Sequence, residues 1–288
     1  MPRPRTELPR RSACALGLTA LLLGGCAAAI RTPPPVESIG AAPGSEVSEP
    51  VEPAEPAAPA EDVAGMLARA EALFARRPDV GAVTQARQHF LAAARADEGR
   101  VEGLLGAVVT GAWLIEHSTD GARRAELATE GVQLAQWCQQ RAPQRIDCDY
   151  RLALALGQQA RERPTTAADA LPRIVALLEK VISAAPELDE AGGHRVLALV
   201  LLRAPAWPLG PGDPEQGLTQ ALAAVAVSPA FPPNQLTLSE ALLANGKPDE
   251  ARHPAEQAKR LAEARLAGGD PDAREWVEQA VRAAAALH

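Results

Sequence analysis

From residue 61 to the end, apolar residues recur at three- and four-residue spacing, and no stretch alternates apolar with polar positions as a half-buried strand would. Ala, Leu, Arg, Glu and Gln dominate this region, and Pro or Gly punctuates it at roughly even intervals. The pattern predicts eleven helices, over 62–77, 80–97, 99–117, 121–141, 148–162, 166–185, 190–203, 214–228, 233–245, 249–267 and 271–287. The expected fold class is all-α, with helices paired into hairpins and each hairpin covering an apolar face that its neighbour cannot hide alone.

A repeat runs through these helices. Every second helix carries small residues seven apart, followed in most cases by a proline: Ala86, Phe90 and Ala93; Gly131, Ala135, Cys138 and Pro143; Gly217, Ala221, Ala224 and Pro229; Ala251, Ala255 and Ala258. Small side chains at these places let the helices of a hairpin approach closely. The pattern resembles the second helix of tetratricopeptide (TPR) repeats, and Leu242-Leu243-Ala244-Asn245-Gly246-Lys247 resembles the stretch before it. The third unit departs, with Ile174 and Val181 at the small positions, although Gly157 and Pro186 fall where a first-helix glycine and a closing proline belong. The resemblance implies a TPR-like α-solenoid closed by a capping helix, 271–287, whose Glu275, Glu278 and Arg282 face water.

The chain before residue 61 is of another kind. Arg3, Arg5, Arg10 and Arg11 precede an apolar run from Ala13 to Leu23, ending in Leu23-Gly24-Gly25-Cys26. A basic start, a short apolar core and small residues before a cut describe a secretory signal over 1–25. Leu-Gly-Gly-Cys is similar to the lipobox of bacterial lipoproteins, which implies acylation of Cys26; without an acidic residue after it, the resemblance implies the periplasmic face of the outer membrane. Residues 32–60 hold eight prolines among Ala, Ser and Glu, with no Lys or Arg between Arg31 and Arg69. Such a segment buries too little apolar surface to fold. Residues 26–60 are expected to be a lipidated tether, reaching at most about 110 Å in polyproline form, and 61–288 the helical domain.

Charge narrows the function. The chain carries −7; losing residues 1–25, with four arginines and Glu7, leaves −10, and seven of the remaining acids lie between Glu37 and Asp62. No basic patch for nucleic acid is expected. Cys14 leaves with the signal and Cys26 takes lipid, so Cys138 and Cys148 are expected to pair in an oxidising compartment, stapling the turn between two helices. No His-Glu-x-x-His, Gly-x-Ser-x-Gly or phosphate-cradling loop occurs, and the five histidines are scattered. No enzyme, metal or cofactor is expected.

The residues left for binding cluster around an unusual loop. Arg203 to Gly217 holds four prolines, and Asp213 before Pro214 has the form of a helix cap. Trp207, in its middle, is expected to plug the end of the hairpin; the functional alternative has it line a concave pocket with His194 and Arg195. An anion at the helix start would meet Arg195 and free amides there. Glu187, Asp189 and Glu190 are expected to be solvated caps in a turn, and Trp113, Trp137 and Tyr150 to be core.

Three short stretches carry a further resemblance: Tyr150 to Gly157, Ala191-Gly192-Gly193-His194-Arg195, and Gly212 to Leu218. They look like the T-component of tripartite ATP-independent periplasmic (TRAP) transporters, over about residues 148–246. That family's resemblance implies a lipoprotein with degenerate TPR-like hairpins that joins a periplasmic solute-binding protein, self-associates and handles a small hydrophobic ligand. The repeats alone imply a scaffold for periplasmic or outer-membrane proteins.

Overall fold

The computed structural model describes residues 62–287; the signal segment, Cys26 and the tether all lie outside the described residues. Eleven α-helices follow in order: α1 (Val63–Phe74), α2 (Val80–Ala96), α3 (Glu102–Glu116), α4 (Gly121–Arg141), α5 (Ile146–Glu162), α6 (Ala167–Ala184), α7 (Leu188–Arg203), α8 (Pro214–Val227), α9 (Pro232–Ala244), α10 (Pro248–Ala267) and α11 (Ala273–Ala285). Successive helices pack on one another, giving five hairpins and a closing helix, and no strand is present among the described residues.

Aspartates start many of these helices. Asp62, Asp79, Asp120 and Asp213 accept from the amides of Gly65 (2.7 Å), Ala82 (3.0 Å), Ala122 (2.9 Å) and Gln216 (3.0 Å), so each satisfies a donor that has no partner inside its helix. One start differs from the sequence expectation. The helix expected from 99 begins at Glu102, because the Asp97 carboxylate takes the Gly99 amide (2.9 Å) and holds a turn ahead of it. Another helix starts earlier than expected, at Ile146, which puts Cys148 inside its first turn.

The small positions of the repeat are at the packed faces. Ala86, Ala135, Ala221, Ala224, Ala251, Ala255 and Ala258 are all fully buried, and Gly103 shows how close the helices come. A Cβ on Gly103 would lie 2.6 Å from the Phe90 carbonyl oxygen on α2. The third unit solves the same problem in reverse. Ile174, Leu178 and Val181 of α6 are buried, and the small residue is on the next helix: a Cβ on Gly193 would come within 3.0 Å of Ile182. Gly157 has open space where its Cβ would be, so packing does not require it. Pro254 stands inside α10, buried and beyond the first turn.

In α11, Glu275, Glu278 and Arg282 are exposed while Ala273 and Ala280 are buried against the stack. The entry to this helix also touches the beginning of the domain. Arg77, after α1, donates from Nε and Nη2 to both oxygens of Asp272 (2.7 and 2.9 Å), a bidentate pair joining positions 195 residues apart.

Candidate functional site

The residues singled out in the sequence divide between the two ends of α7. At its start the backbone is left-handed: Asp189, Glu190 and Ala191 have φ of 53°, 54° and 64°. Side chains other than glycine resist this region at a cost of about 1–2 kcal/mol each. Arg195, one turn on, supplies the compensation. Its Nη1 donates to the Asp189 carbonyl (3.1 Å), the Glu190 carbonyl (3.0 Å) and Asn234 Oδ1 (3.0 Å), and its Nη2 donates to Asp189 Oδ2 (2.8 Å). Asn234, fully buried on α9, donates in turn to the Glu190 (3.0 Å) and Ala224 (3.1 Å) carbonyls.

Tyr150 completes the cluster from α5, donating to Asp189 Oδ2 at 2.6 Å. Burial first, and the Asp189 carboxylate second, push its phenol well above the ordinary value, so it remains a donor. A Cβ on Gly192 would collide with the Tyr150 hydroxyl. Two of the stretches behind the transporter resemblance, at Tyr150 and at Gly192–Arg195, therefore form one hydrogen-bonded unit. Two expectations are corrected here. Asp189 and Glu190 are not solvated caps: Asp189 is bound as above, and Glu190 Oε2 accepts from Ser228 (3.1 Å). Nor is Arg195 open to an external anion, because the Asp189 carboxylate occupies that place.

His194 turns aside from this cluster and pairs through Nδ1 with Gln220 Oε1 on α8 (2.7 Å). The Arg195 guanidinium lies 4.9 Å from the ring centre of Phe231, and Phe231 meets Trp276 of α11 edge to face at 5.2 Å. The cluster thereby ties α5, α7, α9 and α11 together.

At the other end of α7 the proline-rich loop folds on itself. Gly212 N–H donates to the Pro205 carbonyl (2.8 Å), Asp213 N–H to the Leu201 carbonyl (2.8 Å) and Leu209 N–H to the Ala206 carbonyl (3.0 Å). Gly210 and Gly212 permit this, since a Cβ on Gly210 would lie 2.7 Å from the Pro205 carbonyl oxygen and one on Gly212 would strike that of Ala204. Trp207 does not plug the hairpin. It is 86% exposed, Leu209 beside it is 79% exposed, and the loop's own hydrogen bonds do the work assigned to the indole. Nor does Trp207 share a pocket with His194 and Arg195, which sit near the opposite end of the helix, about 12 Å or more along its axis. Asp213 caps α8.

Two open spaces lie along the odd-numbered helices. A groove of about 560 Å³ runs between α7, α9 and α11, with Arg203 and Arg282 at its rim and Leu199, Leu236 and Leu243 inside; Arg203 pairs with Glu240 through two bonds (2.7 and 2.6 Å). A second space, about 350 Å³, is bounded by Phe74, Trp113, Glu116, Arg151, Glu275 and Trp276. Of the expected core aromatics, Tyr150 is fully buried, whereas Trp113 and Trp137 are only half-buried.

Sequence reading missed several buried charges. Arg87 pairs with Glu130 (2.7 Å) between α2 and α4, and Asp149 is bound by Gln139 and Lys180. None has a local spacing that would have revealed it. Cys138 and Cys148 are bonded through sulfur, their Cα atoms 5.4 Å apart, joining the end of α4 to the first turn of α5. Among the described residues, no group of three or more His, Cys, Asp or Glu is placed to hold a metal ion.

No known family's sequence model matches the chain, and no curated protein matches it. Solved structures do. A thermophilic TPR protein of Thermus thermophilus, TTC0263, is similar over 76% of this chain and 98% of its own, with 19% identity and a TM-score of 0.56. The MamA protein matches more loosely, over 71% of this chain and 93% of its own, with 15% identity and a TM-score of 0.44. With hairpins stacked on small-residue faces and a TPR protein as a structural neighbour, the domain has an all-α, TPR-like solenoid fold.

Proposed function

We propose that this chain is a non-catalytic interaction scaffold of the bacterial cell envelope, anchored in the outer membrane through a lipid on Cys26 and held off it by residues 26–60. One observation carries the interaction role: Trp207 and Leu209 stand in water on a loop that hydrogen bonds hold in a single form. Exposed aromatic anchors on a rigid support are the side chains that dominate protein interfaces. The groove between α7, α9 and α11 offers a second contact area near Arg203, at the same end of α7.

The test is crosslinking in cells with the full chain. Trp207→Ala with Leu209→Ala is expected to change stability by no more than about 0.5 kcal/mol, while the main captured protein falls to background. Unchanged capture would remove this loop from the interface.

A second reading, a TRAP T-component-like accessory, rests on the resemblance at residues 148–246. The 350 Å³ space with Phe74, Trp113 and Trp276 is where a small ligand with apolar surface would sit. A ligand-dependent rise in melting temperature that Trp113→Ala abolishes supports it; a panel of apolar ligands with no effect counts against it.

A further inference from the structure

A third groove, about 450 Å³, lies away from the sites above, between α2, the end of α3 and the start of α4. Val80, Leu91, Leu114 and Leu127 give it apolar walls, and Arg87, Arg95 and Arg123 give it three guanidinium groups against one carboxylate, Asp120. That carboxylate is already bound to the amides of Ala122 and Arg123. Arg87 is only 5% exposed, yet its one recorded partner is Glu130 and its Nε has none. Arg123 pairs with Glu126 on its own helix. Each guanidinium has five N–H donors, so one carboxylate leaves capacity for another.

The chain itself carries the matching pattern. Glu46, Glu49, Glu52 and Glu55 recur every third residue, and so do Pro50, Pro53, Pro56 and Pro59. A polyproline helix has three residues per turn and rises about 3.1 Å per residue, so in that form each set becomes a straight row with a step of about 9 Å. Glu49, Glu52 and Glu55 each precede a proline, which disfavours any helical alternative. One row is acidic and the other is a ridge of rings.

Position and length agree. Asp62 is the last residue before α1, and α1 runs antiparallel to α2, so the preceding chain starts at the end of the hairpin where Arg95 stands. From Arg95 to Val80 the groove follows α2 for about 23 Å at 1.5 Å per residue. Seven residues of polyproline, from Asp62 back to Glu55, cover about 22 Å.

We propose that residues 49–60 dock in this groove of their own chain, the proline row over Val80, Leu91, Leu114 and Leu127 and Glu52 and Glu55 on Arg87 and Arg123. The docked segment draws the domain toward its anchor, and its release lengthens the tether. Ion pairs at a groove mouth are screened by salt, so ionic strength or a cationic partner shifts the balance.

The test uses the full chain with Arg123→Lys, and separately Gln88→Lys, which lines the same groove. Zero-length carbodiimide coupling then joins lysine to neighbouring carboxylates. Lys180, Lys247 and Lys259, the chain's only lysines, do not line the groove and serve as references. The expected result is coupling of Glu52 or Glu55 to position 123 or 88 well above that to the three native lysines, falling several-fold between about 0.05 and about 0.5 M salt. Coupling spread evenly over all lysines, or absent at 123 and 88 in both variants, overturns the proposal. Mixed products between light and isotope-labelled chains overturn it as well, by showing that the groove holds a second copy's segment.

Discussion

Arg195→Ala is expected to lower folding stability by about 3–5 kcal/mol, in the range for breaking a largely buried charged network. The side chain is 11% exposed and serves four acceptors at 2.8 to 3.1 Å. Its loss removes the charge opposite Asp189, strips the Glu190 and Asn234 oxygens of a donor, and leaves three residues in a backbone region that L-amino acids avoid. Arg195→Lys is expected to recover little, because an ammonium cannot reproduce the planar fork that reaches two carbonyls, a carboxylate and an amide. Urea unfolding of both variants measures this. A loss below about 1 kcal/mol for the alanine variant would mean that packing of Tyr150 and Ala191, not the guanidinium, holds the turn.

Removing the bond between Cys138 and Cys148 is the second large effect. The bridged residues are 10 apart, and closing a loop of that length is worth about 2.7 kcal/mol in the chain-entropy model. The double replacement Cys138→Ala and Cys148→Ala adds the cost of lost packing, because both positions are fully buried at the α4–α5 contact. The expected outcome is therefore a loss of about 3 kcal/mol or somewhat more, read from chemical denaturation of the double variant. Reducing agent alone, on the native chain, isolates the covalent part. If reduction leaves the unfolding midpoint where it was, the sulfurs are not joined in the folded protein.

Much of the fold is legible in the sequence because its determinants are local. An aspartate before an apolar-periodic run starts a helix through its own side chain, as at Asp79 and Asp120. Alanines seven apart mark a face where two helices come together, as at Ala251 and Ala258. The candidate site is legible only in part. Arg195 stood out, but its task depends on Asp189, Glu190 and Ala191 turning left-handed, and no glycine among the three announces it. Trp207 stood out as well, and the inference from size to burial failed because the loop satisfies itself through Gly210 and Gly212. Ile174 and Val181 looked like a break in the repeat until Gly193 was seen to give way in their place. The pairing of Arg77 with Asp272 has no periodic signature at all, since it depends on where ten intervening helices deliver the chain.

That pairing sets this domain apart from an open-ended array. In a stack whose units meet only their neighbours, each end can unravel alone, and a unit can be gained or lost with little effect on the others. Here the two ends hold one another through Arg77 and Asp272. Fraying at either terminus must first break that clasp, so the ends share their fate. The clasp also counts: with one hairpin more or one fewer, arginine and aspartate no longer meet. Unit number in this lineage is consequently a property of geometry, open to changes in helix length and loop but closed to the duplication by which repeat proteins ordinarily grow.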